Sequence, residues 1–100
     1  MRIEFDWDPA KAQSNRTKHG VRFEDAMSVF ADPLALSRLD DPGPGGEERW
    51  VTLGRAATEA FLLVVHTHVE LSVERVFIRI ISARRPTRKE IRQYEDEAGA

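Results

Sequence analysis

Basic side chains crowd one stretch near the C-terminal end of the chain, with the sequence RIISARRPTRKEIR over residues 79–92. Between Arg75 and Arg92, seven arginines and lysines stand against a single acid, Glu90, so this stretch carries a charge of +6. The whole chain has a net charge of −2, which leaves −8 for the other residues. A basic block inside an acidic chain indicates one anion-facing surface, rather than a protein that binds polyanions everywhere.

The chemistry available to this block is phosphate binding. It follows an apolar strand and enters a predicted helix, where free backbone N–H groups and converging guanidinium groups can hold an oxyanion. We expect this role first for Arg84 and Arg85. For Arg88, Lys89 and Arg92, a solvated helix face is an equally good interpretation.

Arg79 is a separate case, because strand alternation puts it on the same face as Phe77 and Ile81. A guanidinium among apolar side chains is costly to bury unless an anion or a carboxylate pairs with it. Arg79 is therefore expected to hold a ligand anion or to form an internal salt bridge. The acids considered for that bridge are Glu47, Glu48 and Asp32.

Histidines and tryptophans give weaker signals. His66 and His68 lie two apart on a predicted strand and could titrate or bind a metal, but a zinc site needs more ligands, so ordinary strand residues are favoured. Trp7 and Trp50 could stack on bases, although a core role is favoured in so small a domain. His19 is most simply a residue at the end of a helix.

Composition limits the class of protein. One hundred residues, 41% apolar and 32% charged, predict a single globular domain over 1–100. The absence of cysteine excludes a disulfide framework and a thiolate metal site. The longest apolar run, 60–65, is too short to span a bilayer, and the N-terminus lacks a signal-peptide pattern. We expect a cytoplasmic protein without membrane partner, metal or cofactor.

The N-terminal third of the chain has helical signals after one short strand. Residues 2–7 alternate as a strand, with Ile3, Phe5 and Trp7 on one face. Asp8 is the predicted N-cap of a helix that runs from Pro9 to His19 and ends at Gly20. A second helix is predicted over 23–31 from its apolar spacing.

The rest of the chain changes to a strand period and then returns to a helix. Strands are predicted over 34–40, 48–56, 61–71 and 73–83, with the Pro/Gly-rich stretch near residue 41 as a plain connector. Thr87 and Glu90 form a capping box for a last helix, from which Ile91 and Tyr94 point inward. The fold class is therefore α+β, with a mainly antiparallel sheet, two N-terminal helices and a C-terminal helix.

Three segments together resemble the BrnT family of toxins from bacterial type II toxin–antitoxin pairs. They are FDWDPAKAQSNRTKHGVRFEDAMSVFADP (5–33), GEERWVTLG (46–54) and RIISARRPTRKEIRQYE (79–95). The resemblance covers nearly the whole chain. It implies a RelE-like fold, a ribonuclease activity that inhibits translation and growth, and a BrnA antitoxin with a ribbon-helix-helix domain. It also implies that the complex binds operator DNA and represses its own promoter.

The resemblance implies site residues as well. The family's motif positions fall on Lys18, His19, Gly20, Arg49, Trp50, Arg79, Ser82, Arg84, Thr87, Glu90 and Tyr94. Ribonucleases of this kind need no metal, because the RNA 2′-OH attacks the adjacent phosphorus. The residues expected to be catalytic are Arg79, Arg84, Lys18, His19, Glu90 and Tyr94. Those expected to contact RNA are Arg85, Arg88, Lys89, Arg92, Arg49 and Trp50.

One departure from the family and one rival hypothesis remain. Arg22 stands where the family usually has a serine, so the second helix is expected to lack an N-cap hydroxyl. The rival is a non-catalytic module whose basic face only binds nucleic acid or an antitoxin, because no general base stands out in the sequence.

Overall fold

The structure is a computed structural model that describes residues 1–98. Its helices and strands follow the predicted order. They are β1 (Arg2–Asp6), α1 (Pro9–His19), α2 (Phe23–Ser28), β2 (Leu36–Leu39), β3 (Trp50–Arg55), β4 (Phe61–His66), β5 (Val69–Glu70), β6 (Arg75–Arg84) and α3 (Arg88–Ala98). Short 3₁₀ turns cover Val29–Ala31 and Pro44–Gly46. Among the helices that the structure describes, none is both long and apolar enough to cross a membrane.

One mixed sheet forms the middle layer, in the order β1-β6-β4-β3-β2, with β5 paired to the first half of β6. Only the β1–β6 pairing is parallel among the described strands, so the prediction of a mainly antiparallel α+β fold is confirmed. The helices α1 and α2 cover one face of the sheet, and α3 covers part of the other. We call these the α1/α2 face and the α3 face.

Two predicted elements are shorter than expected. The strand predicted over 61–71 stops at His66, because Thr67 turns to bind β6: its N–H donates to Arg79 O, and its hydroxyl accepts from Arg79 N–H. The helix predicted over 23–31 is α-helical only to Ser28. The Ser28 hydroxyl donates to Asp25 O at 2.6 Å and accepts from Ala57 N–H at 2.8 Å. Such side-chain bonds to the backbone compete with the helical hydrogen-bond pattern.

The core lies mainly between the sheet and the α1/α2 pair. Its fully buried side chains include Phe23, Val29, Val64, Ile78 and Ile80. The alternation predicted for the last strand is confirmed, since Val76, Ile78 and Ile80 are all buried on this face. Ile3, Phe5 and Trp7 also pack against this core, as the sequence predicts. A second, smaller cluster of Leu53, Leu63 and Tyr94 lies under α3.

A β-bulge in β6 decides which side chains share a face. On β4, Val65 lies opposite Ser82 and His66 lies opposite Ile80, so the residue between them, Ile81, has no partner there. One extra residue reverses the alternation beyond it. Arg79 and Arg84, five positions apart, would face opposite sides of a regular strand. The bulge puts both on the α3 face.

The buried side chain of Asn15 replaces a strand at the edge of β6. Because β1 ends at Asp6, opposite Arg79, the last residues of β6 have no strand on that side. The Asn15 amide accepts from Ala83 N–H at 3.0 Å and donates to Ala83 O at 2.8 Å. It also donates to Val21 O at 3.1 Å. One side chain thereby joins α1, the turn after it and the end of β6.

The ends of α1 match their sequence signals, whereas the start of α2 lacks one. Asp8 Oδ1 accepts from Ala10 N–H at 2.9 Å, and Gly20 adopts φ +69° at the helix end. Arg22 has the extended backbone of an N-cap, but its side chain makes no capping hydrogen bond. Its guanidinium instead lies 3.7 Å from the exposed Glu24 carboxylate, a contact worth little in water.

We therefore expect Arg22→Ser to raise the free energy of unfolding by about 0.5–1 kcal/mol, because the new hydroxyl can accept from an unpaired N–H of the first turn. Chemical denaturation of the folded protein measures this. Arg22→Ala is the matched control, since it removes the arginine without adding a cap. Equal stability of the Ser and Ala variants would contradict the capping argument.

His66 is buried in a directed chain of hydrogen bonds. Its Nδ1 lies 2.8 Å from Thr67 O and must donate, so Nε2 accepts the Thr52 hydroxyl at 2.6 Å. Thr52 in turn lies 2.7 Å from the Ser37 hydroxyl. Burial lowers the pKa of His66 to about 4; the bond to Thr67 opposes this shift, and His68 adds to it. The fold therefore requires the neutral imidazole.

This requirement makes stability depend on pH in a defined window. The unfolded chain binds the proton below the ordinary histidine pKa of 6.5, and the folded chain only near 4, so stability is full above 6.5 and falls as the pH drops. The loss is on the order of 3 kcal/mol across the window. We expect His66→Gln to flatten this slope between pH 6.5 and 4.5, whereas the exposed His19→Gln keeps it; unfolding at both pH values measures it. Parallel slopes for wild type and His66→Gln would exclude His66 as the titrating group.

Candidate functional site

Arg84 is held at the start of α3 by a carboxylate. Its two terminal nitrogens each lie 3.0 Å from a Glu90 oxygen, a two-bond geometry that fixes the guanidinium plane. Glu90 also accepts from Thr87 N–H at 2.7 Å, while Glu90 N–H donates to the Thr87 hydroxyl, so the predicted capping box is present. The bond from Arg84 is the main reason why the pKa of Glu90 falls to about 2, and Glu90 raises the pKa of Arg84.

Tyr94 is buried beneath α3, with its hydroxyl engaged. The hydroxyl donates to Asp32 Oδ2 at 2.9 Å, and Asp32 also accepts from the N–H groups of Arg55 and Leu34. Desolvation works against the charged Asp32, but these three bonds outweigh it and lower its pKa. Burial, helped by Asp32, raises the pKa of Tyr94. The prediction that Tyr94 packs inward is confirmed, and its hydroxyl ties α3 to the turn after α2.

Arg79 lies in the open part of the α3 face. The internal salt bridge that the sequence suggests is present, and the side chain is 52% exposed. Its carboxylate partner is Asp6, directly opposite on β1 at 3.2 Å, rather than Glu47, Glu48 or Asp32. Sequence reasoning missed this partner because it treated β6 alone, without the parallel strand beside it. Glu47 and Glu48 do border a neighbouring hollow with Arg79, while Asp32 lies under Tyr94.

A second hollow adjoins Arg79 where β1 gives way to α1. Its walls come from Asp6, Trp7, Asp8, Lys11, Arg79, Ile80 and Ile81. Lys11 stands in the first turns of α1 and adds a positive charge that sequence reasoning missed. Its position in the sequence could have indicated this, because Lys11 comes three residues after the Asp8 cap on the helix that follows β1. Trp7 contacts Phe23 edge-on at a ring distance of 5.9 Å, so it serves the core while its other side borders this hollow.

The turn of Lys18, His19 and Gly20 lies beside the end of β6. Asn15 donates to both Val21 O and Ala83 O, which places the segment after this turn next to the residue before Arg84. Lys18, His19 and Arg85 are all exposed. The structure thus brings together the two motifs at 18–20 and 79–85, which are far apart in sequence.

These side chains form one basic track along α1 and β6. We define the track as Lys11, Lys18, His19, Arg79, Arg84 and Arg85. The seven residues from Lys11 to Lys18 span about 10 Å of helix. Arg79 and Arg84 are separated by about 13–16 Å of strand. The spacing suits successive groups of a polyanion better than one small anion.

Arg88, Lys89 and Arg92 are exposed on α3, and no ion pair involves them within the described part of the chain. They lie on a solvated face at the head of the helix, close in sequence to Arg84. Such groups can add screened contacts to a phosphate backbone, but nothing fixes their positions.

Arg49 and Trp50 lie away from the track. Trp50 pairs with His66 in the sheet and therefore lies on the α1/α2 face, opposite to Arg79 and Arg84. The Arg49 guanidinium lies against Gly43, where a Cβ atom would come within 2.3 Å of Nε. Both Arg49 Nε and Trp50 Nε1 are buried and find no acceptor among residues 1–98. The structure does not bring these two residues to the other predicted site residues.

Within residues 1–98, no group of three or more His, Asp or Glu side chains is placed to hold a metal ion. His66 faces the core, whereas His68 is exposed. The positive charge available to a ligand at the track comes from lysine and arginine side chains.

The fold and the track define a class: a small α+β domain with a line of basic groups, partly paired with carboxylates, along α1 and β6. The model of the family "Ribonuclease toxin, BrnT, of type II toxin-antitoxin system" matches residues 7–90. This chain belongs to the BrnT family of ribonuclease toxins.

Comparison with solved structures agrees on the fold. The crystal structure of the Brucella abortus ribonuclease toxin BrnT matches with a TM-score of 0.58 and 19% sequence identity, covering 87% of this chain and 100% of that one. At this identity the match supports the fold rather than individual residue roles. No curated protein matches this chain in sequence.

The network at the head of α3 predicts an asymmetry between two glutamates of that helix. Glu90→Ala removes the capping bond and the Arg84 partner, so we expect the free energy of unfolding to fall by about 1–2 kcal/mol. Glu95→Ala, an exposed change one turn further along, should stay within about 0.5 kcal/mol of wild type. Urea titrations compare the two variants. A similar loss in both would mean that the network does not hold α3 in place.

Proposed function

We propose that this toxin is a metal-independent endoribonuclease whose reaction takes place along the basic track. The observation that carries the proposal is the geometry of Arg84. Two hydrogen bonds to Glu90 fix its guanidinium plane, while 40% of the side chain stays exposed on the same face as Arg79. A guanidinium fixed before substrate arrives stabilises developing charge without further reorganisation. The kinship with RelE-type ribonucleases stays a prediction.

The proposed reaction is an internal transesterification. The RNA 2′-oxygen forms a bond to the adjacent phosphorus and the bond from phosphorus to the 5′-oxygen breaks. One protein group takes the 2′ proton, and another gives a proton to the leaving oxygen. The products are a 2′,3′-cyclic phosphate and a 5′-hydroxyl. Negative charge grows on the non-bridging oxygens, where Arg84 stabilises it, while Arg79 holds a phosphate further along the RNA.

Four residues are candidates for the proton transfers, and their surroundings differ. Glu90 is occupied by Arg84, and a carboxylate with a pKa of about 2 is a weak base. Tyr94 is buried, and its hydroxyl is bound to Asp32. Lys18 and His19 are exposed on the turn beside Arg84. We assign removal of the 2′ proton to the His19 imidazole and protonation of the leaving 5′-oxygen to the Lys18 ammonium, because these two side chains are neighbours on an exposed turn. Glu90 and Tyr94 then act as positioning residues.

The remaining predicted contacts take secondary roles. We assign Arg85 to the RNA backbone beside Arg84 and Lys11 to the backbone beside Arg79. Arg88, Lys89 and Arg92 contribute screened attraction. Arg49 and Trp50 would contact RNA only if the substrate extended around the sheet edge.

The membership of a type II toxin–antitoxin family implies an antitoxin partner. We propose that it is a BrnA-type protein with a ribbon-helix-helix domain, that the complex binds operator DNA to regulate its own synthesis, and that the toxin acts on cytoplasmic RNA. The rival hypothesis is a module that binds nucleic acid or antitoxin without cleavage; the cleavage assay below separates the two.

The first test is cleavage of a defined RNA by the purified protein in EDTA. We expect fragments with 2′,3′-cyclic phosphate and 5′-hydroxyl ends, identified by mass spectrometry, because the proposed charge stabilisation comes from arginines. The same substrate with 2′-deoxy nucleotides should resist cleavage. If the chelator abolished the activity and Mg²⁺ restored it, the metal-independent mechanism would be wrong.

Variants separate track residues from helix-surface charge. We expect Arg84→Ala to lower the cleavage rate by at least 100-fold, since it removes a group at the reacting phosphate, and Arg79→Ala to lower it less, since it removes a paired contact to a phosphate further along the RNA. Arg92→Ala is the matched control on α3 and should cost less than threefold, with a larger effect at low salt. Circular dichroism establishes that each variant is folded. Equal losses in all three would show general electrostatic attraction instead of a positioned site.

A further inference from the structure

An apolar groove crosses the α1/α2 face at the end of the sheet farthest from Arg84. The helix α1 lies against Ala83, near the other end of β6, so this part of the face has no helix over it. The groove is lined by Met1, Ile3, Phe30, Ser37, Trp50, His66, His68, Val76 and Ile78. Most of these side chains are apolar or aromatic, and they come from all five long strands and the turn after α2.

The groove is long enough for one short helix to lie across it. Its lining runs from Ile3 on β1 to Ser37 on β2, which are separated by four strand spacings of about 4.8 Å each, or about 19 Å. That length corresponds to about 12–13 helical residues. Helices that pack on a sheet cover its apolar face, as α1 and α2 do on the neighbouring half.

Exposed apolar side chains collect at the same end. Among the described residues, six large apolar side chains are exposed, and five of them lie at this end of the sheet: Met1 and Leu39 beside the groove, Val69 opposite Phe77 on the α3 face, and Leu71 and Val73 in the turn between β5 and β6. Leu39 pairs with Trp50 and extends the groove on the same face, with 57% of its surface exposed. The sixth, Leu34, lies at the opposite end of β2. A patch of this kind marks a surface that a partner covers.

The charge around the groove is opposite to that of the track. The segments at this end, 1–4, 40–49 and 68–75, hold seven acidic and three basic side chains. Of these acids, Glu4 is paired with Arg75, and Glu47 and Glu48 border the hollow beside Arg79. The acids left for the groove end are Asp40, Asp41, Glu70 and Glu74. An acidic rim repels RNA and a second copy of the same surface, and it attracts a partner segment that carries lysine or arginine beside its apolar residues.

We propose that this groove is the docking site for an amphipathic helix of the antitoxin, with apolar residues in the groove and basic residues over the rim. Amphipathic helices in apolar grooves are a common mode of peptide recognition. The proposal uses the antitoxin that the family implies and does not depend on the reaction assigned to the arginines. In this proposal the antitoxin binds at the acidic end of the sheet. This contact can therefore be tested separately from any contact of the antitoxin with the basic track.

Two leucines of β2 and its approach provide a matched test. Leu39→Glu puts a charge in the groove, whereas Leu34→Glu puts the same charge on a leucine of similar exposure, 52% against 57%, outside it. The full-length chain is titrated with its antitoxin, by calorimetry. We expect Leu39→Glu to weaken binding at least 10-fold and Leu34→Glu to change it less than threefold, with thermal melts to establish folding.

Hydrogen exchange of the wild-type complex gives a second measurement that needs no variant. Binding should slow exchange at 1–3, 37–39 and 66–68, beyond any effect on residues near Arg84. Equal binding by both variants, or no protection at these segments, would overturn the proposal. So would a wild-type chain that is dimeric alone and becomes monomeric in Leu39→Glu, because the occupant would then be a second copy. RNA cleavage by both variants is measured in parallel, and its absence would count against the proposed reaction only.

Discussion

The pairing of the Asn15 amide with Ala83 fixes the geometry on which the basic track depends. Beyond Asp6, β6 has an open edge, and its backbone groups at Ala83 would be buried without partners. Each such group left unsatisfied costs about 1–3 kcal/mol. Asn15 satisfies both and adds a bond to Val21 O. Because all three bonds need the amide, the position tolerates neither an apolar residue nor a carboxylate of the same size.

The consequence of this pairing is functional as well as structural. Along the last third of β6, the helix α1 lies where a further strand could have paired. The side chains of a strand alternate between the two faces of a sheet, whereas α1 can place several lysines along this edge. Lys11 comes beside Arg79, and the segment after Lys18 and His19 comes next to Ala83, the residue before Arg84. The bulge at Ile81 completes the arrangement by putting Arg79 and Arg84 on one face.

Local signals in the sequence predict most of the fold, and the errors have physical causes. The caps at Asp8, Gly20 and Thr87 are read directly, because a cap involves residues within four positions of one another. The parallel pairing of β1 with β6 involves residues more than 70 positions apart, and no local pattern specifies it. The sequence therefore does not identify Asp6 as the ion-pair partner of Arg79, since Asp6 lies on that strand. The sequence does not indicate the bulge either, because Ile80 and Ile81 are both apolar and either of them could face the core.

The pairing of Arg84 with Glu90 bears on how a basic site can favour a transition state over a substrate. A guanidinium already satisfied by a carboxylate gains little from a singly charged phosphodiester, which must compete with that carboxylate. A phosphorane-like transition state carries more negative charge on the same oxygens, so its attraction to Arg84 exceeds that of the ground state. Only interactions that strengthen on the way to the transition state accelerate the reaction. In the proposed reaction, the acid that holds Arg84 in place would therefore also reduce its hold on substrate and product, and a site composed of free arginines would bind RNA more tightly without cleaving it faster.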